Sequence, residues 1–219
     1  IGHSLVNHNM PRMVDGIAQS MGKTNHTWER MIGGGAPLKF LWKNSSKSEG
    51  VDARVDIPRN GYDVVIMTEA VPLLNHIQYS DSFNNAYNFH KLSVDANSNV
   101  QTYLYETWHC INSGLPAGCD WDKNDTEPWR TRLDTSLENW ESIVDSVNSN
   151  NYGTDMYLVP GGQALAKLTD SINSGYVTEL SSISDVFSDD IHLNDTGWYF
   201  IACVQYATIY GESPVGASA

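Results

Sequence analysis

The chain has 219 residues, 41% of them hydrophobic and 18% charged, a composition that supplies enough apolar surface for one folded core. Thirteen basic residues against 26 acidic residues give a formal net charge of −13, which argues against nucleic acid and anionic membrane surfaces as partners. No apolar run reaches the roughly 18 residues that a membrane span needs. We therefore expect one acidic domain covering residues 1–219.

The first helix is predicted from about Pro11 to Gly22. Met13, Ile17 and Met21 recur there every four residues, which gives one apolar stripe. In the segment that follows, residues 38–42 indicate one short element, and their pattern does not distinguish a helix from a strand.

Beyond residue 60, apolar runs and helical patterns alternate. Three runs read as strands buried on both faces, namely 62–67, 102–106 and 155–159. Helices are predicted over about 81–95, 128–149, 161–174 and 195–210. This alternation predicts an α/β fold, a three-layer α/β/α sandwich around a central parallel sheet.

The three cysteines divide into a pair and a single residue. Cys110 and Cys119 enclose a short loop with two glycines and a proline, and we predict a disulfide that would indicate an oxidising compartment. Two unrelated thiols of a cytosolic protein are the alternative. Cys203 stands in an apolar stretch and is expected to be a buried thiol. No CxxC pair occurs, so a zinc ribbon is excluded, and we expect no metal and no cofactor.

Two segments at opposite ends of the chain could support nucleophilic catalysis. Ser4 stands near the start, and His192 follows Asp189 by three residues near the end. A serine needs a base to become a nucleophile, and a histidine needs a carboxylate to fix its tautomer. Asp190 competes with Asp189 for that role. Spacing alone does not bring Ser4 to His192.

Residues that follow the predicted strands should border a ligand site, because ligands bind beyond the carboxyl ends of parallel strands. Such positions are occupied by Glu69, Glu106, Trp108 and His109, which are predicted to contact substrate. For Glu69, binding of backbone amides or orientation of a neighbour is the alternative, and for His109 a structural role is. Trp108 would suit stacking on a sugar ring, with plain loop packing as the alternative. Trp121 is predicted to pack in the core.

Four segments, in order, resemble the motifs of the SGNH (GDSL) hydrolase family. Residues 2–5, GHSL, resemble the GDSL block, with His3 where the family usually has Asp. Residues 33–38 resemble the glycine block, and residues 63–69 resemble the strand that leads into the third block. Residues 189–192, DDIH, resemble the late DxxH block.

This resemblance implies a flavodoxin-like sandwich and a serine esterase that needs no cofactor. Ser4 would be the nucleophile, His192 the general base and then acid, and Asp189 the carboxylate that orients the ring. Backbone N–H groups of Ser4 and of Gly34 or Gly35 would bind the oxyanion.

Two features depart from the family pattern. The third block usually ends in an Asn that donates to the oxyanion, but Glu69 stands here, and an ionised carboxylate only accepts hydrogen bonds. Asn7 and Asn9 are possible substitute donors, with surface or capping roles as the alternative. Because only Ile1 precedes the GHSL block, we expect the family's first strand to be missing or trimmed upstream of that residue.

The substrate class is predicted from the loops. They carry polar and aromatic residues where a lipase would carry an apolar lid, which favours a carbohydrate O-acetylesterase. A general short-chain carboxylesterase and a non-catalytic polysaccharide-binding module on an SGNH scaffold remain open alternatives. The expected partner is an acylated carbohydrate or another small ester, and the expected location is secreted or periplasmic. The oligomeric state is not predicted.

Overall fold

The computed structural model describes residues 1–6, 9–112, 119–122 and 126–219. The helices within these residues are α1 (Met10–Ser20), α2 (Leu38–Lys43), α3 (Ala53–Asn60), α4 (Leu73–Tyr79), α5 (Ser82–Ala96), α6 (Trp129–Asn148), α7 (Gly161–Asn173) and α8 (Asp195–Tyr210). The strands are β1 (Met31–Ile32), β2 (Glu49–Gly50), β3 (Val64–Met67), β4 (Gln101–Glu106) and β5 (Met156–Pro160).

The central sheet is parallel and has the order β3-β4-β5, while β1 and β2 form a short antiparallel pair. The segment Ile1–Gly2 lies between β1 and β3. The N–H of Thr68 donates to the carbonyl of Ile1 at 3.1 Å, the N–H of Gly2 donates to Met31 at 3.0 Å, and Gly33 donates to Gly2 at 3.0 Å. These bonds place the residues that follow Gly2 at the carboxyl edge of the sheet.

The side chains of β4 alternate between two helical layers, because successive residues of a strand point to opposite faces. Leu104 packs in one cluster with Phe89 of α5 and Trp140 of α6. Tyr105 packs in a second cluster with Leu165 of α7 and Ile201 of α8. A strand covered on both faces carries buried side chains in succession, which is why these runs do not alternate strictly between apolar and polar residues.

The predicted α/β class with a central parallel sheet is confirmed, and the predicted strands and long helices agree with the observed ones to within a few residues. The open segment at 38–42 is helix α2. Helices α3 and α4 and the β1–β2 pair were not predicted. In α3 only Ala53 and Ile57 are buried, so its apolar pattern is too short to indicate a helix.

The predicted disulfide between Cys110 and Cys119 is confirmed. The glycines and the proline of the loop that it closes lie outside the described residues. The prediction that Cys203 is a buried thiol is wrong. This thiol is only partly buried and packs at the margin of a cluster that includes Ala202 and Tyr206.

The expectation that the chain has no membrane span can be compared with the length and polarity of its helices. Helix α6 has 20 residues, long enough to cross a bilayer, but charged residues recur along it. Across residues 1–6, 9–112, 119–122 and 126–219, no helix combines the length and the apolar character of a membrane span.

The close approach of α7 to β4 depends on the absence of a side chain at Gly161. A Cβ built on Gly161 would lie 2.7 Å from the carbonyl oxygen of Glu106 and 2.5 Å from the ring of Tyr105, so the helix would have to shift. We expect Gly161→Ala to lower the free energy of unfolding by about 2 kcal/mol in urea denaturation. Gly34→Ala is the matched control, because a Cβ there meets no atom within 4 Å. Equal stability of the two variants would contradict this packing.

Candidate active site

The loop before α8 holds His192 against Asp189. Nδ1 of His192 lies 2.8 Å from Oδ2 of Asp189, and Oδ1 of the same carboxylate accepts the N–H groups of Ile191 at 2.8 Å and of His192 at 2.7 Å. One carboxylate therefore fixes both the loop backbone and the imidazole ring. A neutral ring held in this way keeps its proton on Nδ1 and presents the lone pair of Nε2.

Hydrogen bonds near both ends of the loop explain its shape. The N–H of Ser188 donates to the carbonyl of His192 at 2.8 Å, and Phe187 pairs with Leu193 in an antiparallel bridge. Asn194 then caps α8, because its side chain accepts the N–H of Gly197 at 3.2 Å. The short stretch from Ser188 to His192 is thus forced into a tight turn.

Asp189 remains ionised as its role requires. Partial burial opposes ionisation, but the N–H groups of His192 and Ile191 and the His192 ring outweigh it and hold the pKa of Asp189 below its usual value. The carboxylate of Asp190 is directed elsewhere and accepts the side-chain amide of Asn112 at 2.5 Å. Of the two adjacent carboxylates, Asp189 is therefore the one that contacts the ring.

Ser4 is half-buried in the turn that follows Gly2. Its neighbour His3 is buried, and Nε2 of that ring lies 3.1 Å from the carbonyl oxygen of Glu69, to which it can donate. Burial lowers the pKa of His3 to about 4 despite this hydrogen bond, and the charges of His76 and His192 lower it further. His192 therefore lies within electrostatic reach of the residue next to Ser4, so the fold brings the two end motifs together.

Ser4 and His192 are not joined by a hydrogen bond in the described part of the chain. Nδ1 of the imidazole ring is engaged by Asp189. Catalytic hydrogen bonds are often long without substrate and shorten when it binds. The hydrogen bond between Asp189 and His192 that the predicted triad requires is present. The contact between Ser4 and His192 stays a prediction.

The glycine turn at residues 33–36 supplies N–H groups beside Ser4. Gly33 donates to Gly2, and Ala36 donates back to Gly33 at 3.1 Å, which closes the turn. Gly35 has a φ of +61°, a backbone conformation that favours glycine. Within the described part of the chain, the N–H groups of Ser4, Gly34 and Gly35 donate to no acceptor. They are thus available to bind an oxyanion.

Glu69, the residue that departs from the motif expected by resemblance, is bonded to the start of α2, directly after the glycine turn. Its Oε1 accepts the N–H of Leu38 at 3.0 Å and of Ala70 at 2.8 Å, and the residue is fully buried. Burial raises the pKa of Glu69, and hydrogen bonds to its carboxylate oppose the rise. Of the roles predicted for Glu69, binding of backbone amides is confirmed and contact with substrate is corrected, because the buried side chain connects β3 to the start of α2.

Glu106 is another buried carboxylate, at the carboxyl end of β4. Its two oxygens accept the backbone N–H of Gln163 at 3.1 Å and the side-chain amide of Gln163 at 3.2 Å. Desolvation raises the pKa of Glu106 to about 7 although these bonds oppose the rise. The predicted substrate contact is corrected here too, since Glu106 faces the first turn of α7.

Trp108 does not offer a stacking surface. Its indole is fully buried, packs beside Phe187 and Trp198, and donates from Nε1 to the carbonyl of Ile191 at 2.7 Å. The predicted sugar stacking is therefore wrong for Trp108, and loop packing describes it. Its hydrogen bond to Ile191 instead supports the loop that carries His192.

His109 and Trp121 also differ from expectation. Nδ1 of His109 lies 3.2 Å from the guanidinium of Arg132. His109 is one of the residues that line a cavity, but it is buried and has little exposed surface for substrate. Trp121, predicted to pack in the core, is 48% exposed and lines the same cavity. No signal in the sequence separates Trp121 from Trp108, since both stand in polar loops after β4.

The substitute oxyanion donors receive little support. Asn7 lies outside the described residues. Asn9 precedes α1 as its N-cap residue and accepts the N–H of Met13 through its carbonyl at 2.9 Å.

One group of side chains has the spacing of a metal site. Cys110, Cys119 and Asp190 present ligand atoms within 4.8 Å of one another. The two sulfurs are joined as a disulfide, so neither is a thiolate that could bind a metal.

A cavity of about 1000 Å³ has Ile1 and Val6 in its wall but not Ser4, Asp189 or His192. Tyr62 and Asp63, which precede β3, are in its wall, so it opens near the amino ends of the strands. Ligands of parallel sheets bind at the carboxyl ends, where Ser4 and His192 lie. Geometry and chemistry therefore favour the carboxyl edge over the larger cavity.

The fold has known relatives among solved structures. A DUF4886 family protein from Bacteroides uniformis shares 14% identity at a TM-score of 0.72, over 100% of this chain and 84% of that one. A "putative GDSL-like lipase" from Parabacteroides merdae shares 12% identity at a TM-score of 0.60, over 96% of this chain and 93% of that one. No family model and no curated protein matches the sequence. At these identities the likeness shows a GDSL-like hydrolase fold.

The raised pKa of Glu106 predicts a pH-dependent stability. Because folding favours the protonated carboxyl, its contribution is complete below the ordinary pKa of 4.5 and is lost as the pH rises through about 7. Glu106→Gln keeps an acceptor for Gln163 and cannot ionise. We expect it to match wild type near pH 4.5 and to be more stable by up to about 3 kcal/mol at pH 8.

Urea denaturation of both proteins across this pH range measures the effect. The difference between them cancels the titration of other groups, including Glu69. Parallel stability profiles would show that Glu106 does not titrate in this range.

Proposed function

We propose that this protein is a serine hydrolase that cleaves an ester through an acyl-enzyme. The observation that carries the proposal is the Asp189–His192 pair, fixed by three hydrogen bonds at the sheet edge where the Ser4 turn lies. A carboxylate that orients an imidazole beside a serine is the arrangement that activates a hydroxyl at neutral pH. The GDSL-like hydrolase fold is consistent with this chemistry.

In the first half of the reaction, Oγ of Ser4 attacks the acyl carbonyl as Nε2 of His192 takes its proton. Asp189 stabilises the imidazolium that results. The oxyanion accepts hydrogen bonds from the N–H groups of Ser4 and of Gly34 or Gly35. When the tetrahedral intermediate collapses, the C–O bond of the ester breaks, and the alcohol leaves with the proton from His192.

In the second half, water attacks the acyl-serine and gives a proton to His192. Collapse of this intermediate breaks the bond to Ser4, which recovers its proton, and releases a carboxylic acid. Glu69 positions the glycine turn throughout by its hydrogen bond to Leu38 and takes no part in proton transfer.

The substrate that we propose is a carbohydrate O-acetyl ester. The exposed large hydrophobic side chains among the described residues are spread over different elements, which favours a small acyl group over a long chain. Polar residues dominate the loops near His192, as recognition of sugar hydroxyls requires. The disulfide supports a secreted or periplasmic location. A general short-chain carboxylesterase would need only the same catalytic residues.

A non-catalytic polysaccharide-binding module is the second candidate. It is favoured by Glu69, which supplies no donor to an oxyanion, and by the open contact between Ser4 and His192. Such a module would bind sugar but release no acid. The two candidates therefore differ in turnover and agree in affinity for carbohydrate.

Replacement of the nucleophile tests turnover directly. We expect Ser4→Ala to abolish acetate release from p-nitrophenyl acetate and from acetylated xylan. The thermal midpoint should not fall, because the half-buried Ser4 hydroxyl makes no hydrogen bond to the described part of the chain. Ser174→Ala, at the exposed end of α7, is the matched control and should retain full activity. Hydrolysis of the small ester alone by wild type would indicate the general carboxylesterase. A folded wild type that releases no acetate from either ester would favour the binding module.

The two adjacent carboxylates make a second test. Asp189→Asn should reduce kcat by about 10³–10⁴-fold, because an amide that donates to Nδ1 favours the wrong imidazole tautomer. Asp190→Asn is matched in chemistry and position and should have a far smaller effect, since that side chain contacts Asn112. Steady-state kinetics on p-nitrophenyl acetate measures both, and a larger loss in Asp190→Asn would refute the assignment.

A further inference from the structure

A cavity of about 540 Å³ opens between α4, α6 and the segment 119–122. Its walls are mixed in character. Leu73 and Asn75 of α4 form one side, Ser136 and Asn139 of α6 form another, and Trp121 stands at the margin. A cavity with one aromatic face and several amide and hydroxyl groups suits a ligand that is itself amphipathic.

The wall of this cavity is connected to the loop that carries Asp189 and His192, although neither residue lines it. His109 in its wall lies two residues before Ile111, whose N–H donates to the carbonyl of Asp190 at 2.7 Å. Helix α4, which forms one side, also carries His76, whose charge contributes to lowering the pKa of His3. The cavity therefore lies at the same edge of the sheet as Ser4 and His192.

Trp121 is exposed but firmly anchored. Cys119, two residues before it, is bonded to Cys110, and Asp122, directly after it, forms two hydrogen bonds of 3.0 Å to the guanidinium of Arg132. The Asp122 and Arg132 side chains are 3% and 6% exposed, so this is a buried bidentate ion pair. An indole that is 48% exposed on such a base can bind a ligand at little cost in conformational entropy.

We propose that this cavity is a carbohydrate subsite in which the indole of Trp121 stacks on a pyranose ring. The proposal rests on the proposed function and assigns a place to the sugar part of the ester. Aromatic rings combine a large apolar face with defined geometry, which matches the apolar face of a pyranose. Asn75, Ser136 and Asn139 offer donors and acceptors to its hydroxyl groups.

The ring that fits is uncharged. Arg132, a cation of this cavity wall, is paired with the carboxylate of Asp122. A sugar that carries a carboxylate or a sulfate would meet net negative charge from a chain of formal charge −13. Neutral hexoses, pentoses and their N-acetyl derivatives are therefore the expected class.

The affinity of unmodified sugars for Ser4→Ala provides the test. Titration calorimetry with xylohexaose, cellohexaose, mannohexaose and chitohexaose should detect binding of at least one of them. Adding Trp121→Ala should weaken that affinity by about tenfold or more, whereas Trp121→Phe should retain most of it. Tyr176→Ala is the matched control, because Tyr176 is an exposed aromatic residue outside this cavity. Its affinity should equal that of Ser4→Ala alone.

Kinetics in the chain with Ser4 intact separates the subsite from the esterase. Trp121→Ala should lower kcat/KM for acetylated xylan by about tenfold, and kcat/KM for ethyl acetate, which has no ring to stack on an indole, by much less. A failure of the esterase proposal would show as unchanged acetate release in Ser4→Ala, with sugar binding still dependent on Trp121.

Two results would overturn the subsite. The first is a failure of the sugar test: none of the four hexasaccharides binds, or one of them binds the folded chain with Trp121→Ala as tightly as the chain without it. The other is that Trp121→Ala impairs hydrolysis of p-nitrophenyl octanoate while sugar affinity is unchanged, which would assign the cavity to an acyl chain. Thermal midpoints of all variants exclude unfolding as the cause.

Discussion

The position of Ser4 depends on the backbone hydrogen bonds that hold Ile1 and Gly2 between β1 and β3. They bind this segment to Met31 and Gly33 on one side and to Thr68 on the other. Glycine is required at position 2, because a Cβ there would collide with Val6 and Thr68. Since the neighbouring strands are parallel, their carboxyl ends meet at one edge, and the glycine turn and the His192 loop lie there with Ser4.

Buried carboxylates connect the loops of this edge. Glu69 joins the end of β3 to the start of α2, and Glu106 joins β4 to α7. Both carry a raised pKa because burial disfavours their charge. The more exposed Asp189 has a lowered pKa because three donors face it. Burial thus separates the carboxylates that position loops from the one that orients the His192 ring.

The two loop tryptophans illustrate where sequence-based prediction stops. Trp108 and Trp121 both follow β4 among polar residues. Stacking on sugar, with loop packing as the alternative, was predicted for Trp108, and core packing was predicted for Trp121. The structure shows the opposite exposures, because Trp108 is covered by Phe187 and Trp198 from the distant end of the chain. Which aromatic ring is covered depends on contacts between segments about 80 residues apart, and no local pattern records them.

The sequence by itself predicted the alternation of buried strands and amphipathic helices, favoured the pairing of Cys110 with Cys119, and offered Asp189 and Asp190 as alternative partners of His192. Each of these follows from residues close together in the chain. Only the tertiary structure decided that Glu69 and Glu106 are internal, that Trp121 is exposed, and that His192 lies near His3. Burial and proximity are properties of the packed chain, because they depend on which distant segments cover each side chain.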